Sequence, residues 1–283
     1  MESDVKVADG PRRVLALTAT ELLLTTVLMA VVVGLVRWGI GTMNLEGDTV
    51  GPVPRVAVVG GLSGVFIAVL ILSRPGRFSG AHVNPAITVS LWAFGIVPGR
   101  RVVPYLAAQA AGSVLGTAVG VALWGQAARE APTAYAVIQP AAGWSEPIVF
   151  AVEAATMAVI VGVMCWVLRR RPGWPLPWVI GAMIGVQAAV FGTVTGGVAN
   201  PARQLGPALL SGQTHVLVTY LVAPIVGGVA AAIVARRRLT ANAPAPSVPV
   251  HVDIAVDADP SGDESGLSHQ IRPSLSQTTI NSP

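Results

Sequence analysis

Two Asn-Pro-Ala triplets stand at matching places in the two halves of a very hydrophobic chain, Asn84-Pro85-Ala86 and Asn200-Pro201-Ala202. Asparagine is a preferred N-cap and proline suits the first helical position, so each triplet predicts the start of a helix. Only about a dozen helix-compatible residues follow before Gly, Ser or Pro stops each helix, too few to span a bilayer. Two half-length helices of this kind in a membrane protein indicate the lining of a pore.

The composition predicts a membrane protein. Apolar residues make up 53% of the chain and charged residues 11%, and the mean hydropathy is +0.66. The first apolar run is interpreted as a span and not a signal peptide, because acidic residues precede it and no small-residue cleavage site closes it. Six runs have roughly the 20 residues that a bilayer core requires: 14–36, 55–73, 104–124, 147–168, 176–195 and 214–235.

The basic residues cluster at alternate ends of these runs, which explains a net charge of +4 without invoking nucleic acid. The positive-inside rule then predicts a multi-pass protein of the cell membrane with both termini in the cytoplasm. The residues assigned to the cytoplasmic side are Lys6, Arg12, Arg13, Arg74, Arg77, Arg100, Arg101, Arg169, Arg170, Arg171, Arg236, Arg237 and Arg238.

The interior of the chain repeats itself. Glu21 in the first run and Glu153 in the fourth are the only acids within the runs, and Tyr105 and Tyr220 follow the triplet asparagines by 21 and 20 positions. Each repeat, about 14–124 and 147–236, therefore has three spans and one half-helix, and an odd number of spans inverts the second copy. A cytoplasmic segment 1–13 precedes this 14–236 unit, and a Pro/Ser-rich tail, 239–283, is predicted to be disordered and cytoplasmic.

These residues resemble the major intrinsic protein family, the aquaporins and glycerol facilitators. The resemblance rests on the two triplets with their flanks, Ser79 to Ala86 and Asn200 to Pro207, and on the intramembrane glutamates with Tyr105 and Gln109. It implies an all-α membrane fold, a right-handed bundle of six tilted helices and two re-entrant half-helices. It also implies a homotetramer in which every protomer has its own pore.

The same resemblance implies a selectivity filter made of Gly64, Ala188, Gly197 and Arg203. Arg74-Pro75-Gly76-Arg77 resembles an insertion, which would move the first position to Gly60. Water-selective members carry an aromatic residue and a histidine at two of these places, and glycerol facilitators carry two aromatics. The small residues here are similar to the filter of plant silicic-acid channels, whereas Gln204 replaces the aspartate usual in glycerol facilitators.

Two interpretations of the buried polar residues remain open. Glu21 and Glu153 are interpreted as acceptors for backbone N–H groups of the loops before the half-helices, with His82 and Gln109 as further structural support. Alternatively, the two glutamates couple transport to protons in a secondary transporter, which also uses inverted repeats and broken helices.

The prediction for function is a passive channel for small uncharged solutes and water. Glycerol, urea and the neutral acids of boron, silicon or trivalent arsenic all suit a wide polar filter, and the residues do not rank them. The expected partners are these solutes and the lipid bilayer, with no cofactor, no metal and no nucleic acid. The spans contain no nucleophile elbow, phosphate loop or His/Cys/carboxylate cluster that would indicate an enzyme.

Overall fold

The computed structural model of the chain describes residues 10–42 and 51–241, with side chains described as far as Arg238. The predictions for segment 1–13 and for the tail 239–283 therefore fall mostly outside the described residues. In the described part the chain forms ten α-helices and one 3₁₀ turn, Ala134–Ala136. The helices are α1 (Pro11–Gly39), α2 (Pro52–Leu72), α3 (Arg74–Ser79), α4 (Pro85–Phe94), α5 (Gly99–Trp124), α6 (Gln126–Arg129), α7 (Glu146–Arg170), α8 (Leu176–Phe191), α9 (Pro201–Ser211) and α10 (Leu217–Ala241).

Five of the six predicted spans are helices long and apolar enough to cross a membrane, namely α1, α2, α5, α7 and α10. The fifth predicted span, 176–195, is wrong at its end, because α8 has 16 residues and stops at Phe191. The residues after it, which include three glycines and two threonines but no charged residue, form an irregular loop, in which Gly196 and Gly197 have positive φ angles of 98° and 56°. Because no charged residue ends the run, hydropathy alone extends the predicted span beyond the helix.

The long helices pack in pairs that repeat between the two halves. Helix α1 packs along α5, α7 packs along α10, and α2 packs along α8, its counterpart in the other repeat. A Cβ on Gly116 of α5 would overlap the backbone of α1 at Thr26, and a Cβ on Gly227 of α10 would overlap that of α7 at Ala154. Glycine at these positions lets the helix backbones approach closely, which is how helices associate in membranes.

The two half-helices begin and end as the sequence predicts. The side chain of Asn84 accepts a hydrogen bond from the Ala86 N–H at 2.9 Å, and Asn200 accepts one from the Ala202 N–H at 2.9 Å. Glycines in the left-handed conformation follow each half-helix, Gly95 at φ 96° and Gly212 at φ 75°. The predicted all-α fold with two half-helices is thus confirmed.

Large apolar side chains cover the outside of the bundle. Val103 is 74% exposed and Val218 is 70% exposed, while Glu21 and Glu153 are fully buried. This distribution, apolar outside and polar inside, suits a protein that is surrounded by lipid.

Candidate permeation site

The loop before α4, residues 79–84, and the loop before α9, residues 195–200, lead to the centre of the bundle with nearly the same backbone. Gly80 and Gly196 have φ angles of 97° and 98°, and Val83 and Ala199 have φ angles of 43° and 44°. Such backbone offers N–H groups that no helix ladder satisfies, and buried donors need partners. We refer to these segments as loop 1 and loop 2.

Glu21 of α1 supplies the partners for loop 1. Its carboxylate accepts hydrogen bonds from the N–H groups of His82 at 3.0 Å and Val83 at 2.8 Å, and from the Ser79 hydroxyl at 2.8 Å. Tyr105 of α5 donates its hydroxyl to the Ser79 carbonyl at 2.8 Å. One buried carboxylate therefore holds the irregular backbone in place.

Glu153 of α7 does the same for loop 2. Its carboxylate accepts from the N–H groups of Val198 at 3.0 Å and Ala199 at 3.1 Å, and from the Thr195 hydroxyl at 2.8 Å. Tyr220 of α10 donates its hydroxyl to the Thr195 carbonyl at 2.5 Å. The pairing of glutamate, tyrosine and hydroxyl residue is repeated in each half.

The two triplet asparagines bind each other's loops. The side-chain amide of Asn84 donates to the Ala199 carbonyl at 3.1 Å, and that of Asn200 donates to the Val83 carbonyl at 2.9 Å. Pro85, Ala86, Pro201 and Ala202 follow as buried first residues of the half-helices. The positive ends of two helix dipoles thus meet at one place.

His82 and Gln109 support only the first half. His82 Nδ1 lies 3.1 Å from the Thr88 hydroxyl, and the histidine ring packs edge-on against Tyr105. Gln109 donates to Glu21 at 2.9 Å and to the Thr88 hydroxyl at 3.0 Å. These side chains form one buried polar network behind the first triplet.

A cavity of about 240 Å³ extends from the two asparagines to Arg203 and beyond. Its walls include apolar side chains of α1 and α2, the backbone of loop 2, and residues 132–139 of the connection between the repeats. Apolar walls with few polar groups are typical of a path for small molecules. A permeating molecule loses hydrogen bonds to water in such a path, and the few polar groups replace them at defined places.

Of the predicted filter residues, Ala188, Gly197 and Arg203 line this cavity, together with Gly60. Gly64 does not line it, since Gly64 lies against α8, where an added Cβ would overlap the Gly181 carbonyl. The stretch interpreted as an insertion forms the short helix α3, capped by the Ser73 hydroxyl, which accepts from the Gly76 N–H at 3.0 Å. Because α3 adds a turn between α2 and Asn84, counting back from Asn84 reaches Gly64, whereas the residue of α2 at the cavity is Gly60.

Arg203 and the next residue, Gln204, are fixed by the connection between the repeats. Arg203 donates to the Ala136 carbonyl at 2.7 Å. Gln204 accepts from the Ile138 N–H at 3.0 Å and donates to the Ile138 carbonyl at 2.8 Å. Gln204 is therefore a buried clamp on this segment.

Sequence reasoning missed the residues of the segment 132–139. Thr133 and Gln139 line the same cavity as Arg203. The segment lies between the repeats and has no counterpart or motif, so only its position between the third and fourth apolar runs could have drawn attention to it.

The comparisons with known proteins agree with this geometry. The family model described as "Major intrinsic protein" matches residues 11–235. The chain belongs to the major intrinsic protein family. A "Probable aquaporin AqpM" of Archaeoglobus fulgidus is 35% identical over 200 residues, which cover 69% of this chain and 78% of the relative.

Other relatives of this major intrinsic protein carry different names. A "Propanediol uptake facilitator PduF" of Citrobacter freundii is 31% identical over 73% of this chain and 88% of its own. A "Probable aquaporin NIP7-1" of Arabidopsis thaliana is 32% identical over 82% of this chain and 80% of its own.

A solved structure supports the fold. The aquaglyceroporin from Plasmodium falciparum, 23% identical, superposes with a TM-score of 0.67 and covers 79% of this chain and 96% of its own. Members of the major intrinsic protein family are passive channels and not enzymes, so this protein is an integral, multi-pass membrane channel for small solutes.

Proposed function

We propose that this protein is a passive channel for small uncharged hydroxylated solutes and water, with a wide filter formed by Gly60, Ala188, Gly197 and Arg203. Glycerol, urea and the neutral acids of boron, silicon or trivalent arsenic are the candidate solutes. The observation that carries the proposal is the cavity beside Arg203, where three of the four filter positions have no side chain larger than a methyl group.

Selection for neutral solutes follows from the charges at the cavity. Arg203 is a permanent cation, and the N-termini of both half-helices meet at the triplet asparagines. These groups favour partial negative charge and oppose cations, including protons. Arginine and the asparagine amides also donate hydrogen bonds, which suits solutes whose oxygens accept them.

A passive mechanism is favoured over ion coupling by the surroundings of the two intramembrane glutamates. Glu21 and Glu153 are fully buried, are outside the cavity lining, and accept hydrogen bonds from loop backbone and side chains. A coupling carboxylate must exchange protons or ions with the path, and these carboxylates are engaged in holding the loops.

The arginine-rich ends of the helices support an orientation with both termini in the cytoplasm. Arg236 donates to the Ala93 carbonyl at the end of α4, and Arg169 lies over the ring of Phe94 at 5.2 Å. The arginines that end α7 and α10 therefore share one end of the bundle with the end of α4, as the positive-inside rule requires of a cytoplasmic face. We further propose that the protein is a homotetramer located in the cell membrane.

The experiment is a swelling assay on proteoliposomes with a panel of neutral solutes. We expect flux that is proportional to the gradient at modest concentrations and carries no current. Uphill accumulation of solute under an imposed proton or sodium gradient would instead identify a coupled transporter. A protein that conducts water but excludes glycerol and every larger neutral solute would disprove the wide filter.

Ala188→Phe gives the filter a direct test. The new ring would occupy the cavity, so glycerol flux should fall at least tenfold while water keeps a single-file path. Ala182→Phe is the matched control, since Ala182 is exposed on the same helix. Gly60 is the poorer site for added bulk, because a Cβ there would lie 2.7 Å from the Ala188 Cβ and push α2 from α8. Parent-level fluxes in folded Ala188→Phe would show that Ala188 does not line the constriction.

A further inference from the structure

Two side chains in the cavity wall have polar atoms that nothing in the described part of the chain satisfies. Both amide atoms of Gln139 and the hydroxyl of Thr133 are buried without a hydrogen-bond partner. Buried polar groups are normally bonded to protein or to ordered water, so each exception needs an explanation. Gln139 and Thr133 both line the cavity, although these polar atoms have almost no accessible surface in the conformation described. A rotation of either side chain would bring its polar atoms to the contents of the cavity, which can supply the missing partners.

The other polar side chains of the cavity wall differ in this respect. Arg203 binds the Ala136 carbonyl, and the Ser63 hydroxyl donates to the Val59 carbonyl at 2.7 Å. Asn84 and Asn200 are engaged with the opposite loops. Within the cavity wall, the buried polar atoms without a partner are thus those of the segment 132–139.

The backbone around Gln139 is held firmly. Gln204 binds both the N–H and the carbonyl of Ile138, and the Ala141 N–H donates to the Val194 carbonyl at 2.8 Å. The Ile138 side chain packs on Gly196, so closely that a Cβ on Gly196 would overlap it. Anchors on both sides therefore fix Gln139 at the cavity wall, leaving only its side chain to turn toward a ligand.

The chemistry of this pair complements that of the filter. Arg203 only donates hydrogen bonds, whereas the Gln139 amide donates and accepts, and the Thr133 hydroxyl does both. A hydroxyl group on a solute also donates and accepts. A polyol that leaves bulk water loses several such bonds at once, and an amide with a hydroxyl can replace them in both directions.

We propose that Gln139 and Thr133 form a polar subsite, at the Arg203 end of the cavity, that binds the hydroxyl groups of a neutral polyol before the polyol enters the filter. The inference rests on the proposed function and assigns a specificity role to the connection between the repeats. Water gains little from the subsite, because a water molecule is small enough to stay hydrogen-bonded to its neighbours in a single file of water. The subsite therefore favours polyols relative to water.

The test compares glycerol, methanol and water fluxes in proteoliposomes for the parent and for Gln139→Met, which keeps the length of the side chain and removes both polar atoms. We expect glycerol flux to fall about fivefold, the order of one net hydrogen bond, while water and methanol change less than twofold. Thr133→Val should lower the glycerol-to-water ratio in the same direction. Gln213→Met, at an exposed glutamine after α9, is the matched control and should behave as the parent.

The outcomes separate this inference from the proposed function. If the parent conducts no neutral polyol, the proposed function itself fails. If the parent conducts glycerol and Gln139→Met keeps the parent ratio of glycerol to water, the subsite is disproved. A parallel fall of glycerol and water would also overturn it, since that result identifies a purely structural residue. If Gln139→Met does not fold, a parent-like ratio in Thr133→Val has the same meaning.

Discussion

Loop 1 with α4 and loop 2 with α9 share a frame and differ in what the frame carries. In both, a glutamate accepts hydrogen bonds from the N–H groups of two consecutive residues. A tyrosine donates to the carbonyl of the residue that begins the loop, and the next residue is a glycine with φ near 97°. Even the crossing bonds of the asparagines are reciprocal. The frame is thus present in two copies.

The difference begins three residues after each asparagine. Ile87 and Thr88 stand in the first half-helix where Arg203 and Gln204 stand in the second. The Thr88 hydroxyl bonds within its own repeat, since it donates to the Asn84 carbonyl and accepts from the Gln109 side-chain amide. Gln204 and Arg203 bind the connection between the repeats instead. The duplicated residues therefore build the centre of the pore. The residues that differ between the halves place a positive charge at one end of the cavity and hold the connection between the repeats as its wall.

The largest effect should come from removing the shared glutamates. Glu21→Leu or Glu153→Leu would leave at least three buried donors unpaired, at roughly 1–3 kcal/mol each, and either variant should yield little folded protein. Glu→Gln keeps one acceptor oxygen and should be milder at both positions. The measurement is the yield of monodisperse protein in detergent. If both Leu variants fold normally but lose transport, the glutamates act in coupling and are not needed to hold the two loops.

A smaller effect should distinguish the two turn glycines. Alanine at Gly80 or Gly196 must adopt a left-handed φ, which costs about 1–2 kcal/mol. At Gly80 the new methyl meets only the His82 ring, at 3.1 Å, whereas at Gly196 it overlaps the Ile138 side chain. Overpacking should add about 1–3 kcal/mol, so Gly196→Ala should show the lower apparent melting temperature.

Ile138→Ala provides the control for that comparison. In the Gly196→Ala background it removes the overlapping side chain, and the melting temperature should return toward that of Gly80→Ala. Equal melting temperatures for Gly80→Ala and Gly196→Ala would mean that the Ile138 side chain moves aside without loss of stability. Loop 2 would then be no more tightly packed than loop 1.

The smallest effect on stability should come from Arg203→Ile, which gives the second half-helix the residue of the first. Loss of the bond to the Ala136 carbonyl is partly offset by removal of a partly buried charge, so the change should stay below about 2 kcal/mol. The effect falls on selectivity instead, and cation currents across planar bilayers should rise above those of the parent. Ile87→Leu is the control, with no current expected. Unchanged cation exclusion in folded Arg203→Ile would place the barrier elsewhere, at the meeting half-helix dipoles.

The sequence predicts the duplicated part of this molecule well, because duplication is itself a signal. Two Asn-Pro starts predict both half-helices, and the glycines at their ends agree with the observed stops at Gly95 and Gly212. The intramembrane glutamates stand out because charge is costly in a bilayer. Both features follow from local chemistry that a single sequence displays.

The unduplicated parts are harder to predict for physical reasons. Counting back from Asn84 reaches Gly64, but α3 adds a turn and Gly60 lines the cavity. The end of α8 is hidden because the loop after it contains no charged residue that would end the apolar run. Gln139 and Thr133 lie in a segment without periodicity or motif, and only tertiary contacts bring them to the cavity. Position in space, not residue type, gives these residues their importance.

The exchanged amide bonds between the two triplets also set an order on how the protein is made. When the first repeat leaves the ribosome, the Asn84 side chain has no acceptor at Ala199, and the Val83 carbonyl has no donor at Asn200, because those residues are not yet synthesised. Domains generally form in the order of synthesis, but this centre cannot. Loop 1 therefore stays incomplete until the last third of the chain has been made. A half-inserted molecule has unpaired hydrogen-bonding groups at Asn84 and Val83, and these distinguish it from the finished protein.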